Sequence, residues 1–127
     1  MPRNLYVTLP VKDLDRSVDF FEALGFSFNP QFSDETGACM VISDTIFAML
    51  LSHEKFAGFS PKPIADTDKT TEVLIALSRD NREAVDAIVE AALAAGGSTF
   101  SEPQDHGFMY GRAFRDLDGH VWEAFWM

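Results

Sequence analysis

The sequence predicts an α+β fold made of two βαβββ modules, and three observations lead there. The order strand, helix, strand, strand, strand is spelled twice along 127 residues. Both helical stretches carry apolar residues at three-and-four spacing and stop at glycine. The chain closes on an aromatic-rich hairpin whose turn, Asp116-Leu117-Asp118-Gly119, supplies a glycine for the φ > 0 position of a tight reversal. Module 1 is expected over about residues 1–53, a connector over about 54–69 and module 2 over about 70–127, all within one domain.

Asn4 to Val11 reads as the first strand, with Leu5, Val7, Leu9 and Val11 alternating against Asn4, Tyr6, Thr8 and Pro10. Pro10 cannot donate to a ladder, which places it near a strand end or on an edge. Asp13 or Asp15 caps a helix to about Leu24, with Leu14, Val18, Phe21 and Leu24 on one face and Gly25 as its stop. Three strand candidates follow. Phe26 to Phe32 is interrupted by Asn29-Pro30, Gly37 to Ser43 ends at a Ser43-Asp44 turn, and Thr45 to Ser52 completes the module.

His53 to Lys69 is the one long connector, containing Gly58, Pro61 and Pro63. A loop of that length in a small domain is usually functional or mobile. Its Phe56 and Phe59 need cover, over a ligand cavity or against a second subunit. The pattern then restarts. Thr70 to Ser78 is a strand, and Asp80 or Asn81 caps a helix through Val85, Ile88, Val89, Ala92 and Leu93 that ends at Gly96-Gly97. Ser98 to Glu102 is a short strand, and Phe108 to Arg115 and His120 to Met127 form the closing hairpin. Aligning Asp13 with Asp80 superposes the two modules, the second helix being longer by about one turn.

Tyr6-Val7-Thr8-Leu9-Pro10-Val11-Lys12-Asp13, with Ser17, Phe20-Phe21 and Leu24-Gly25-Phe26 behind it, resembles the opening of the vicinal oxygen chelate superfamily. That superfamily includes the glyoxalases, the bleomycin-resistance proteins and the extradiol dioxygenases. The closing R-D-L-D-G-H-V-W-E, Arg115 to Glu123, is similar to its terminal strand. The resemblance implies that the two modules curl their mixed sheets into an open, cup-shaped barrel, the glyoxalase/bleomycin resistance fold, with helices outside and a ligand cavity inside. It also implies that Glu123 holds the place of a metal ligand in the metal-dependent members. Carried over position by position, the other three ligands fall on Tyr6, on Val73 and on Met49 or Leu50. Val73 has no donor atom, and a divalent transition metal needs three or more. No metal cofactor is therefore expected; if one were bound, Glu123 would hold it.

Several side chains are candidates for the cup itself. A carboxylate within the apolar strand Val121 to Met127 is costly to bury unless it is paired, metal-bound or facing a wet cavity. If Glu123 faces the cavity, Tyr6 and Thr8 are expected to face it too. Arg112 is expected beside Glu123, as an ion pair or as a fork for a ligand carboxylate or phosphate. Tyr110 adds a ring and a hydroxyl. Tyr6, Thr8, Tyr110, Arg112 and Glu123 form the expected ligand-binding set, and Glu123, His106 and Tyr110 are the candidates for catalysis. His106 is expected at the cavity mouth. His120, within the D-G-H turn, reads as structural. Cys39 reads as a buried, inert thiol.

Composition narrows the partners. Twenty acidic against ten basic side chains give a formal charge of −10, which argues against nucleic acid, whose phosphates need a basic surface. An acidic, aromatic-lined cavity would suit a planar or cationic ligand. No apolar run approaches the roughly 20 residues that span a bilayer, and no secretory signal is visible. A single cysteine makes a reducing, cytoplasmic setting the default. The expected function is metal-free binding of a small molecule, in the manner of the bleomycin-resistance proteins, by a homodimer. The alternative is a metal-dependent enzyme, a lactoylglutathione lyase-like lyase or isomerase, or a dioxygenase, with Glu123 on Zn, Ni, Mn or Fe. A third reading is a regulatory domain without catalysis.

Overall fold

In the computed structural model, which describes residues 3–127, the alternation of the first strand becomes β1 (Leu5–Val11). Asp13 then caps α1 (Leu14–Ala23), its carboxylate accepting the Arg16 N–H. The helix stops at Gly25, which sits at φ 101°, while the Phe26 N–H closes the last turn on the Phe21 carbonyl at 3.1 Å. β2 (Ser27–Asn29) breaks at Pro30, where Pro30–Phe32 make one 3-10 turn. β3 (Gly37–Val41) and β4 (Ile46–Ser52) complete a sheet of order β1-β4-β3-β2, with β1 parallel to β4 and the other pairs antiparallel.

The second half repeats the plan with β5 (Leu74–Ser78), α3 (Arg82–Ala94), β6 (Ser98–Thr99), β8 (Tyr110–Arg115) and β9 (Val121–Trp126), in the order β5-β9-β8-β6. Asn81 is the cap of α3, its side chain accepting the Ala84 N–H at 2.8 Å. The chain divides into two compact units, one ending at Ile64 and the other beginning at Ala65. Both units have the same strand order and the same parallel pairing of first strand with last. Neither sheet closes on itself, and the architecture is α+β with mixed sheets.

Where the elements depart from the sequence expectation, turn chemistry explains it. The connector contains a short helix, α2 (His53–Ala57), capped by the Ser52 hydroxyl accepting the Lys55 N–H. β5 starts at Leu74 rather than Thr70, because the Asp66 carbonyl takes the N–H groups of Lys69 and Thr70 in a turn. The strand expected at Ser98 to Glu102 is cut to two residues by the loop holding Pro103, and β7 (Gln104–Asp105) resumes the pairing with β8. Phe108 lies in the preceding turn, where the His106 N–H donates to Met109 O at 2.8 Å.

In each unit the helix covers a face of its own sheet. Leu9, Val11, Ala38, Met40, Ala48 and Leu50 are buried on one face of the first sheet, and α1 contributes Ser17, Phe20 and Phe21 to the burial. In the second unit Val85, Ile88, Val89 and Ala92 of α3 are buried with Phe114, Trp122 and Ala124. Each large side chain so buried contributes about 1.5–3 kcal/mol. Among the described residues, no helix is long and apolar enough to cross a membrane.

Candidate functional site

Strand register decides which side chains can meet, because cross-strand partners share a face. In the first sheet Tyr6 pairs with Phe47 and Thr8 with Met49. These residues lie on the face opposite Leu9 and Leu50. Tyr6 and Phe47 stack at 4.9 Å between ring centroids, 15° from parallel. Immediately after β4 the Ser52 cap turns the chain into α2, and the Phe59 and Ser60 N–H groups both donate to Phe56 O, at 2.9 and 3.2 Å. That fold-back creates a cavity of about 430 Å³. Thr8, Met49 and Leu51 line it from the sheet; Lys55, Phe56, Phe59 and Ser60 line it from the connector. The lining is apolar apart from two hydroxyls and one ammonium, and no carboxylate belongs to it. The lining of this cavity is therefore not the acidic one expected from composition.

The structure brings Thr8 together with the two connector phenylalanines, whereas the sequence grouped Thr8 with Tyr6, Tyr110, Arg112 and Glu123. Met49, Leu51, Lys55 and Ser60 were not singled out. The weak local signal was Ser52 as an N-cap candidate with Glu54 in the first turn, and without the sheet register it pointed to no face.

In the second unit, Glu123 pairs with Ala113 on β8 and Ala76 on β5. The expected neighbour, Arg112, pairs with Ala124 instead and so lies on the other face. There its guanidinium reaches α3, with Nη1 at 3.0 Å from Asp86 Oδ1 and Nη2 at 3.1 Å from Glu90 Oε1. Tyr110 donates its hydroxyl proton to the same Asp86 oxygen at 2.6 Å. The Tyr110 hydroxyl, with Arg112 beside it, holds the Asp86 carboxyl below the usual carboxylate range. Tyr110 and Arg112 thus fasten α3 to its sheet, and an Arg112–Glu123 ion pair does not form. Glu123, half-buried between two alanines, has no hydrogen-bond or ion-pair partner among the described residues. His106 is exposed, its ring stacked beside Phe108 at 6.3 Å.

The D-L-D-G-H segment is a staple for the last hairpin. The Asp116 carboxylate accepts from the N–H groups of Asp118 at 2.9 Å and His120 at 3.0 Å, and from the Trp122 indole at 3.0 Å. Burial pushes the Asp116 carboxyl above the usual range, against the opposing pull of His120 and these donors. His120 is buried, with Nδ1 2.8 Å from Glu72 Oε1.

The observed caps, Asp13 and Asn81, shift the alignment of the two units by one residue. Leu74 rather than Val73 is then the equivalent of Tyr6, and Met49 rather than Leu50 the equivalent of Glu123. The strand pairings Tyr6 with Phe47 and Leu74 with Val121 agree with this. A phenol, a thioether, a hydrocarbon and one carboxylate do not suit a divalent metal ion. Among the described residues, no group of three or more His, Cys, Asp or Glu side chains is placed to hold one.

A family model described as the Glyoxalase/Bleomycin resistance protein/Dioxygenase superfamily matches residues 4–124. Among solved structures, a hypothetical protein from S. aureus is 31% identical, with 100% of this chain and 95% of that chain covered and a TM-score of 0.84. A glyoxalase/bleomycin resistance protein/dioxygenase family enzyme from Burkholderia phytofirmans is 20% identical, with 95% of each chain covered and a TM-score of 0.78. The fosfomycin resistance protein FosX from Mesorhizobium loti is 18% identical, with 100% of this chain and 94% of that chain covered and a TM-score of 0.72. The last two likenesses concern the fold alone. None of the curated proteins matches the sequence.

Proposed function

Because the chain belongs to the Glyoxalase/Bleomycin resistance protein/Dioxygenase superfamily, we propose that it binds a small molecule on the concave sheet faces this fold provides, and that it does so without a metal. The observation that carries the reading is the 430 Å³ cavity of the first unit, walled by Phe56 and Phe59 and floored by Met49, the counterpart of Glu123. A volume of that size lies in the range of small-molecule sites. Thr8 is the hydroxyl on its floor, and Tyr6, stacked on Phe47, lies on the same sheet face. Glu123 is proposed to serve the corresponding face of the second unit, where the small side chains of Ala76 and Ala113 leave its carboxylate accessible to a ligand.

The metal-dependent alternative, a lyase, isomerase or dioxygenase held through Glu123, would need a donor where Leu74 stands. We therefore derive no step through a metal. The proposal includes a homodimer, supported by the exposed edge-strand side chains Leu5, Tyr6 and Leu74 and by Phe59. It also includes a reducing, cytoplasmic setting, the default for a chain with one cysteine, here buried.

The test is binding of 2-naphthylmethanol to chelator-treated protein, followed by calorimetry, in the wild type and in Met49→Trp. Saturable binding by the metal-free wild type and its loss in the variant, whose indole fills the cavity, is the expected result. Binding only after zinc, nickel or manganese is restored, or unchanged binding by Met49→Trp, would overturn the reading.

A further inference from the structure

From the one charged group on the cavity wall, we infer that the ligand is a flat, apolar monoanion, of the aryl carboxylate class, with Lys55 reading its charge. This rests on the proposed small-molecule reading of the same cavity and adds the sign and shape of what enters it.

The geometry supports it in three ways. First, Lys55 Nζ stands 5.9 Å from the centroid of the Phe59 ring, at the rim of a cavity that contains no carboxylate. Among the described residues it forms no ion pair. Asp34 is the acid whose charge it influences, and that carboxylate is committed elsewhere. Asp34 Oδ1 accepts the Thr36 N–H and hydroxyl, both at 2.8 Å, and the Gly37 N–H at 3.1 Å. A lysine ammonium beside an apolar cavity, with no acid bound to it, is a strong partner for a ligand carboxylate.

Second, the hydroxyls divide by availability. Ser60 Oγ donates to Lys62 O and accepts the Lys62 N–H, both at 3.3 Å. The Thr8 side-chain hydroxyl, on the sheet side of the cavity, makes no hydrogen bond among the described residues and has a proton to donate. One cation from the connector and one neutral donor from the sheet match a carboxylate better than an ammonium or a neutral polar group. Third, the remaining surface is two phenylalanine rings, a thioether and a leucine, which favour a flat hydrocarbon body. The chain's net charge of −10 would repel an anion at long range, so the selectivity must come from this local ammonium.

The experiment compares three probes of one shape in wild-type protein: 2-naphthoate, 2-naphthylmethanol and 2-naphthylmethylammonium. The expected order is anion, neutral, cation, with naphthoate about tenfold tighter than the alcohol, the scale of a partly screened charge-assisted hydrogen bond. In Lys55→Met the three affinities should converge, while Lys55→Arg keeps the order. Lys55 is exposed and its backbone N–H, not its side chain, receives the Ser52 cap, so both variants should fold as the parent does. Equal binding of naphthoate and alcohol by the wild type overturns the charge inference and leaves the cavity reading standing. A naphthoate preference that persists in Lys55→Met overturns the role of Lys55. Failure of all three probes to bind overturns the charge inference together with the reading beneath it.

Discussion

Asp86 Oδ1 accepts from both Tyr110 and Arg112, so its loss should remove one bond from each. Asp86→Ala would leave Arg112, whose side chain is only 18% exposed, with Glu90 as its remaining acid. About half of the Asp86 side chain is in solvent, which screens the pair. The expected cost is about 1–2 kcal/mol, the range for losing a charge-assisted bond and stranding a donor, read as a shift of the urea midpoint. The pH dependence has a defined sign. The folded Asp86 pKa lies below its unfolded value, so its contribution is fully present above the usual carboxylate range and is lost as pH falls through the depressed value. Asp105, held down to about 2 by bidentate Arg82, stays ionised even further into acid. In Asp86→Ala the acid limb of the stability profile should flatten accordingly. An unchanged acid limb would contradict the assignment of Asp86 to this network.

At the scale of elements, the last hairpin depends on Gly119. Its φ is +81°, and a Cβ there would approach Thr67 Oγ1 to 2.6 Å. Thr67 is held in place because its hydroxyl donates to the Asp118 carbonyl. Gly119→Ala combines left-handed strain with that clash and should cost on the order of 2 kcal/mol or more; pairing it with Thr67→Gly should recover part of the loss, as measured by thermal unfolding. This turn was readable in the sequence, since Asp-Gly has few other uses between two alternating segments. The helix stops were readable for the same reason, whereas each N-cap was narrowed only to two residues, and Asn81 rather than Asp80 caps α3. What the sequence did not reveal depended on register. Nothing in Phe108 to Arg115 says which face meets Glu123. A one-residue slip exchanges the faces, and that is why Arg112 and Tyr110 were expected in the cup but lie under α3. The short helix α2 was hidden because five residues carry too few periods to show an amphipathic pattern.

At the scale of the whole molecule, both sheets expose an edge strand carrying apolar side chains. Leu5 on β1 is 57% exposed and Leu74 on β5 is 56% exposed. Such edges are normally covered, and the proposed homodimer would cover them. Sedimentation at micromolar concentration should give twice the 14.1 kDa chain mass, and Leu5→Lys or Leu74→Lys should shift the protein toward monomer. A monomer at all accessible concentrations would remove the dimer from the account. The fold and family were legible because both end motifs depend on turns and caps. The ligand chemistry was not, because net charge describes the whole surface while a cavity is decided by the few residues that line it.

The central claim is that a metal-free cavity of the first unit takes a small apolar anion. The most direct measurement is a titration of chelator-treated, nitrogen-15-labelled protein with 2-naphthoate, following the backbone amide resonances. The account predicts saturable shifts at Thr8, Met49, Leu51 and the segment Lys55 to Ser60, with the amides of Asp86, Glu90 and Arg112 unmoved. Shifts confined to the α3 and β8 amides, or shifts that require an added divalent metal, would contradict it.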